Sequence, residues 1–313
     1  MEKEITTTYI WQKYQKGIEY INKINLTNKT DKCHRMYNGD QWHGLKSGGE
    51  ELPILNIIKG IVKYKVSTVA QNTMSAVYTP IGERTEESVK ACDALNTHFQ
   101  IMWERAKMDK HAWAVIKDAC IGADAYIYFG GADVTQSQLI NNVNVLLGDE
   151  QNSNLQQQPY IILVERLFVK DIKREAERNG IKKDEIELII SDENVNNQLG
   201  DKNEVEYATE DGKCTSILYM YKDEEGYVHF AKSTQSVIYK PDEPVIAKLP
   251  DGTPSGVGLR MYPISNFVWE DTKGSARGSG DVEHLIANQI ELSKTLARRA
   301  IAIKQCAFPK IAY

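Results

Sequence analysis

Apolar residues fall at helical spacing over much of the chain, and at alternating spacing in its second half. Over residues 5–24, Ile5, Tyr9, Ile10, Tyr14, Ile18 and Ile21 share one side, which predicts a helix. A short second helix is expected over 29–36, followed by a turn at Asn38-Gly39 that Trp42 can pin to a core. Pro53 opens an apolar segment running to about Asn72 that reads as a third helix, with Asn56 inside it. A buried Asn there needs hydrogen-bond partners and would tie the helix to a neighbouring loop. Helices are predicted over 83–108 and 109–121, the second ended by Gly122, and Ala125–Phe129 reads as a strand closed by Gly130-Gly131.

Residues 132–160 are polar, with Asn- and Gln-rich runs, and read as a surface loop around one short strand at Val143–Leu147. Tyr160–Val164 is a strand. Phe168–Arg178 is a helix stopped by Asn179-Gly180, Ile181–Ile190 a second short helix, and 191–212 a charged loop. A hairpin follows, with Thr215–Tyr221 and Tyr227–Ala231 flanking Glu224-Glu225-Gly226. Val237–Tyr239 and Val245–Ala247 read as separate strands divided by Pro241 and Pro244. The stretch 251–256 reads as a turn and Met261–Trp269 as a last strand. Helices in front, a mixed middle and strands behind make the fold class α+β.

The stretch that organises the chain begins at Gly278. Gly278, Ser279 and Gly280 make a flexible lead-in that can cap a helix, and Asp281 and Glu283 then sit in a first turn where the helix dipole favours acids. With no proline before Pro309, the helix is expected from about Asp281 to about Lys304, roughly 36 Å. Val282, Leu285, Leu292, Leu296, Ala300 and Ile303 form one stripe, and Glu283, Ala287, Glu291, Lys294 and Arg298 a second. Such a helix suits the surface of an ordinary domain; it also suits a rod that packs beside copies of itself around a channel.

Composition narrows the classes. The 313 residues allow one large domain or two, and 42% hydrophobic content is enough for a core. A formal charge of −5 argues against tight nonspecific nucleic-acid binding. The five cysteines are scattered without a CxxC, so a disulfide framework is not expected and a reducing compartment fits. Apolar runs are too short to span a membrane.

The loop Gly274–Gly280 precedes a helix and could hold an anion at the helix N-terminus. It lacks the lysine of a phosphate-binding loop, and Asp281 would repel phosphate. The histidines show no metal-ligand spacing, no serine sits in GxSxG, and the paired acids at 184–185 and 224–225 sit in polar turns. No catalytic residue, metal or cofactor is therefore expected. The cluster Lys294, Arg298, Arg299 and Lys304 cannot form one tight patch, since Arg299 is turned about 100° from Arg298. Arranged in a ring, these residues and Glu291 are candidates for channel-facing belts or contacts between subunits.

The order of landmarks resembles bacteriophage portal proteins, the head–tail connector family. Tyr37-Asn-Gly-Asp-Gln-Trp42 is similar to that family's early Y-x-G-x-Q-W segment, and Asn56–Val62 to the asparagine-led helix that follows. Asp118–Tyr126, with Gly122, is similar to the helix-to-strand junction; Pro159–Ile162 and the helix with Glu175, Ala176 and Gly180 to the middle; and Pro263–Trp269, then Gly278-Ser-Gly280, to the run into the stem. The likeness spans about residues 9–313. It implies a non-enzymatic ring, usually of about twelve copies, at one capsid vertex, with double-stranded DNA passing through during packaging and ejection. The implied partners are the terminase large subunit, major capsid and scaffolding proteins, head-completion and tail-adaptor proteins, and DNA bound without sequence preference. The implied location is the virion, with assembly in the host cytoplasm. By this likeness 1–275 is a wing-like domain, 276–305 the first stem-like helix and 306–313 the start of a clip. The returning stem helix and crown would lie beyond, so the sequence is expected to be a fragment. Two further readings stay open: an enzyme holding phosphate or nucleotide at Gly274–Gly280, and a virion scaffold protein without a channel.

Overall fold

The computed structural model describes residues 5–45, 52–71, 76–130, 136–192, 212–248 and 254–307. The fold is α+β, with helices first, an antiparallel β-rich middle and a long last helix. The contacts divide it differently from the expected break at about 275. One unit comprises 1–27, 140–266 and 272–277; the other comprises 28–139, 267–271 and 278–313. The expected stem helix therefore belongs with 28–139, because its first half is buried against helices of that segment. The expected 306–313 segment is described only as far as Ala307.

The first unit is built on a five-stranded antiparallel sheet in the order β3-β4-β5-β6-β7, comprising Val145–Leu147, Tyr160–Phe168, Lys213–Lys222, Val228–Ser233 and Ile238–Pro244. Pairing sets Ile162 opposite Tyr219 and Val164 opposite Ile217, so these four share a face. Helix α1 (Thr7–Lys23) covers that face with Ile10, Tyr14 and Ile21. Helices α6 (Val169–Arg178) and α7 (Lys183–Glu187) build a second core with Cys214, Val237 and Tyr239. Gly17 of α1 sits so close to β3 that an added Cβ would lie 2.8 Å from Leu146 Cδ1.

Two expectations need correction in this unit. Both strands expected here are present, but the first, β7, runs through Pro241 and on to Pro244, so the break before the second (Ile246–Lys248) falls at Val245; as the edge strand β7 has one side that no ladder hydrogen bond requires. The polar stretch 132–160 is more than a surface loop. Beyond 131–135, which lie outside the described residues, it supplies β2 (Gln136–Ile140), which but for Ile140 belongs to the second unit, as well as β3, and Val143, Val145 and Leu146 are completely buried. Its amides replace ladder pairing. Gln158 is buried, accepts from Asp149 N and donates to the carbonyls of Asp149 and Asn152, while Gln156 bonds both backbone groups of Tyr262. The 191–212 loop is described only at its ends, and the turn at 251–256 only from Pro254, where β9 (Pro254–Gly258) pairs with β8 (Ile246–Lys248).

The second unit is mainly helical: α2 (Leu26–Asn38), α3 (Ile57–Ala70), α4 (Glu86–Arg105), α5 (Met108–Gly122) and α8 (Asp281–Ala307). Its core joins Cys33, Met36, Ile58, Val62, Val66, Ile116, Cys120 and Ile121 to Val282 and Ile286 of α8. Phe267 and Trp269 pack beside Ala119, Ala125 and Ile127 of α5 and β1 (Asp124–Gly130). Among the described residues no helix is long and apolar enough to cross a membrane.

Two predictions come from this packing. Gly17→Val should lower unfolding stability by about 1–3 kcal/mol, seen as a reduced urea midpoint, because the new methyls must displace Leu146. Burial pushes the thiols of Cys33 up to about 11 and of Cys120 and Cys214 up to about 12, whereas Cys306 is exposed and Cys92 half-buried. At pH 8 a thiol titration of the folded protein should therefore count two groups, rising to all five on unfolding.

Candidate functional site

The sequence landmarks of the second unit converge at the base of α8. Trp42 Nε1 donates to Pro53 O at 3.1 Å, which fixes the turn to the lead-in of α3. Asn56 is not inside α3 but caps it. Its Oδ1 accepts from Lys59 N at 2.9 Å, while its Nδ2 donates to Tyr37 O at 2.9 Å and Met36 O at 3.2 Å. One amide thus satisfies an orphan N–H at the start of α3 and carbonyls at the end of α2. Gly122 is the last residue of α5. Ala123 follows with φ at +89°, an unusual conformation for a residue with a side chain, and its carbonyl accepts from Trp269 N at 2.9 Å.

Gly278 and Gly280 serve here as close-packing residues rather than as a flexible hinge. A Cβ at Gly278 would lie 2.3 Å from Val268 Cγ1 and 2.8 Å from Glu270 O. One at Gly280 would lie 2.8 Å from Ala123 N and 3.1 Å from Ile121 O. Ser279 N donates to Glu270 O in a bridge between the two glycines. The next residue, Asp281, accepts at Oδ2 from Lys65 Nζ at 2.8 Å and Trp269 Nε1 at 2.9 Å, with Cys120 Sγ at 3.7 Å. This carboxylate joins α3, α5, the segment after β10 (Ile264–Val268) and α8 at one point.

The same packing bears on the anion-site reading of Gly274–Gly280. Backbone fills the faces of Gly278 and Gly280. Arg277, the only base in the loop, belongs to the first unit and is buried there, where it pairs with Glu150 at 3.1 Å and donates to Asn142 O and Val145 O.

Along α8 the buried face is Val282, Ile286, Gln289 and Ser293, two residues of it polar. Gln289 Oε1 accepts from Ile57 N at 3.0 Å and its Nε2 donates to Leu55 O at 2.7 Å; Ser293 Oγ donates to Gln41 Oε1 at 2.7 Å. The expected apolar stripe is only partly used. Leu285, Leu292 and Leu296 are half-buried, while Ala300 and Ile303 are exposed. Sorting by polarity missed Gln289 and Ser293, because side-chain amides and hydroxyls go inside when backbone partners wait for them. Their helical spacing from Val282 and Ile286 was the available signal.

From Arg298 to Cys306 every residue of α8 is exposed. Of the charged candidates, Glu291 stands 3.9 Å from Lys294 and 4.0 Å from Arg298, with all three side chains at least half exposed. Such pairs contribute about 0–1 kcal/mol and leave the charges open to a partner. Arg299 and Lys304 are exposed on other sides, so the bases encircle the rod rather than form one patch. Helix α4 is comparable: none of its 20 residues is buried, although Val89, Leu95 and Ile101 are apolar and exposed.

Histidines play smaller parts. Burial holds His34 below the ordinary imidazole range, opposed by Asp118. His229 lies between Asp223 at 3.2 Å and Asp242 at 3.3 Å, a cluster of the first unit that sequence spacing did not bring out, since its three members lie on β6, the turn before it and β7. Among the described residues no three His, Cys, Asp or Glu side chains are grouped to hold a metal ion.

Gly280→Ala should destabilise the protein by about 2–3 kcal/mol in urea melts, since the backbone of Ala123 must move to admit the methyl. No protein-family model matches the chain, and comparison with curated proteins finds no match.

Proposed function

We propose that this chain is a bacteriophage portal protein, a non-enzymatic subunit of a closed ring at one capsid vertex. Double-stranded DNA would pass through the ring during packaging and ejection. Terminase and the head-completion proteins would dock on it, and capsid and scaffolding proteins would surround it. The carrying observation is α8: a 27-residue rod of about 40 Å, anchored as far as Ser293 and exposed on all sides from Arg298 to Cys306. A lone globular subunit gains nothing from exposing Ile301 and Ile303 on such a rod, whereas a ring covers them with neighbours.

Two further observations favour the reading. Six of the residues that carry the resemblance, Trp42, Asn56, Gly122, Trp269, Gly278 and Gly280, lie in the unit that holds α8, and five of them make or flank its anchor. The net charge of −5 suits a conduit, because many phosphate contacts would bind DNA and stall it.

Electron micrographs and native mass measurements on the concentrated chain test the proposal. The expected outcome is closed rings with a central channel, about twelve copies in mass. Monomers alone at high concentration, or a filled particle without a channel, would overturn it; the latter would favour a scaffold protein.

A further inference from the structure

Helix α4 contributes no residue to a core. Its half-buried residues, Ser88, Cys92, Asn96, Phe99, Met102 and Trp103, share one side, and the rest are exposed. At the end of the helix, Trp103 Nε1 donates to Asp109 Oδ1 at 2.8 Å and Ser137 Oγ donates to Ala106 O at 2.9 Å. Farther up, one side chain clips the extended segment that precedes the helix. Asn96 Oδ1 accepts from Tyr78 N at 2.7 Å, and Asn96 Nδ2 donates to Tyr78 O at 3.2 Å. The Tyr78 ring meets Phe99 edge to face, with centroids 6.2 Å apart. Toward its start the helix has local supports: the capping box of Thr85 and Ser88, and Lys90 paired with Glu86. Lys107, with φ at +51°, breaks the helix between α4 and α5.

We propose that the Glu86–Phe99 part of α4 is an order–disorder switch, latched by the Asn96 amide on the backbone of Tyr78. A helix of 20 residues is marginal in water when no apolar face is covered, so its order depends on the few tertiary contacts it has. Asn96 is the residue in the middle of α4 that propensity disfavours, and the clip is the physical reason for its place there. Latched, Tyr78 holds the helix through two backbone groups and one ring. Unlatched, about four turns lose that support and unwind. Helices α5 and α8 keep theirs, because Ile116, Cys120, Val282 and Ile286 stay in the core. The latch lies at the surface, with Tyr78 45% exposed, so it opens without disturbing that core.

Amide hydrogen exchange on the full chain, read by segment, tests the switch. Asn96→Ala should speed exchange over Glu86–Phe99 by about tenfold or more and leave α5 and α8 as they were. The sign is diagnostic: alanine is the better helix former, so without a latch the same substitution slows exchange. Tyr78→Ala lies outside the helix and should act in the same direction through the lost ring contact. Cys92 gives a second reading. It is half-buried on the latched side, and in N96A it should alkylate faster relative to the exposed Cys306 of the same chain. Exchange over α4 unchanged or slowed in N96A, Y78A without effect, or Cys92 no faster would each overturn the latch. Equal speeding of α4, α5 and α8 would overturn the switch, since it would mark unfolding of the whole unit.

Discussion

The carboxylate of Asp281 is the point on which the second unit turns. A charge taken partly out of water must be matched, and here one oxygen receives the Lys65 ammonium and the Trp269 indole N–H. Those donors come from α3 and from the segment after β10, so the first turn of α8 cannot move without breaking both. Acids also suit the start of a helix, and the dipole of α8 acts on Asp281 in the same direction. The approach is possible only because Gly280, one residue before, lets the chain pass within backbone distance of Ala123.

This anchor gives α8 two different halves. As far as Ser293 it is an internal helix, held by Val282 and Ile286 in the core and by Gln289 and Ser293 on polar partners. Past Arg298 it leaves those partners behind while its apolar and basic residues continue. A rod fixed at one end presents its other end at a defined angle, which suits contact with a neighbour better than a flexible tail would: little ordering entropy is lost on docking. Helix α4 differs: Asn96 bonds both backbone groups of Tyr78 and Phe99 packs on its ring, while Val89 and Leu95 stay exposed.

The first unit solves a different problem. Its sheet is covered by α1 on one face and supports α6 and α7, and the polar stretch beside it is folded by side chains rather than by ladders. Arg277 shows the principle: a guanidinium taken from water is matched by the Glu150 carboxylate and two carbonyls, which fixes the path of the chain just before the glycines. Gln158 and Gln156 do the same for the turn before β4.

Helical periodicity determined most elements correctly. It placed α1, α5, α6 and α8 nearly where they stand, and alternation found β1, β4 and the β5–β6 hairpin, because local spacing decides which residues can share a face. The cap role of Asn56, the strand through Pro241, the burial of Val143–Leu146 and the polar inner face of α8 were decided by tertiary structure. In each, a residue's place depends on a partner far along the chain: Asn56 on Met36 and Tyr37, Gln289 on Leu55, the prolines on lying at a sheet edge. Sequence can mark Gly278 and Gly280 as permissive, but only the packed backbone of Ala123 and Glu270 makes them obligatory, since a methyl group is excluded by atoms that spacing alone cannot bring near.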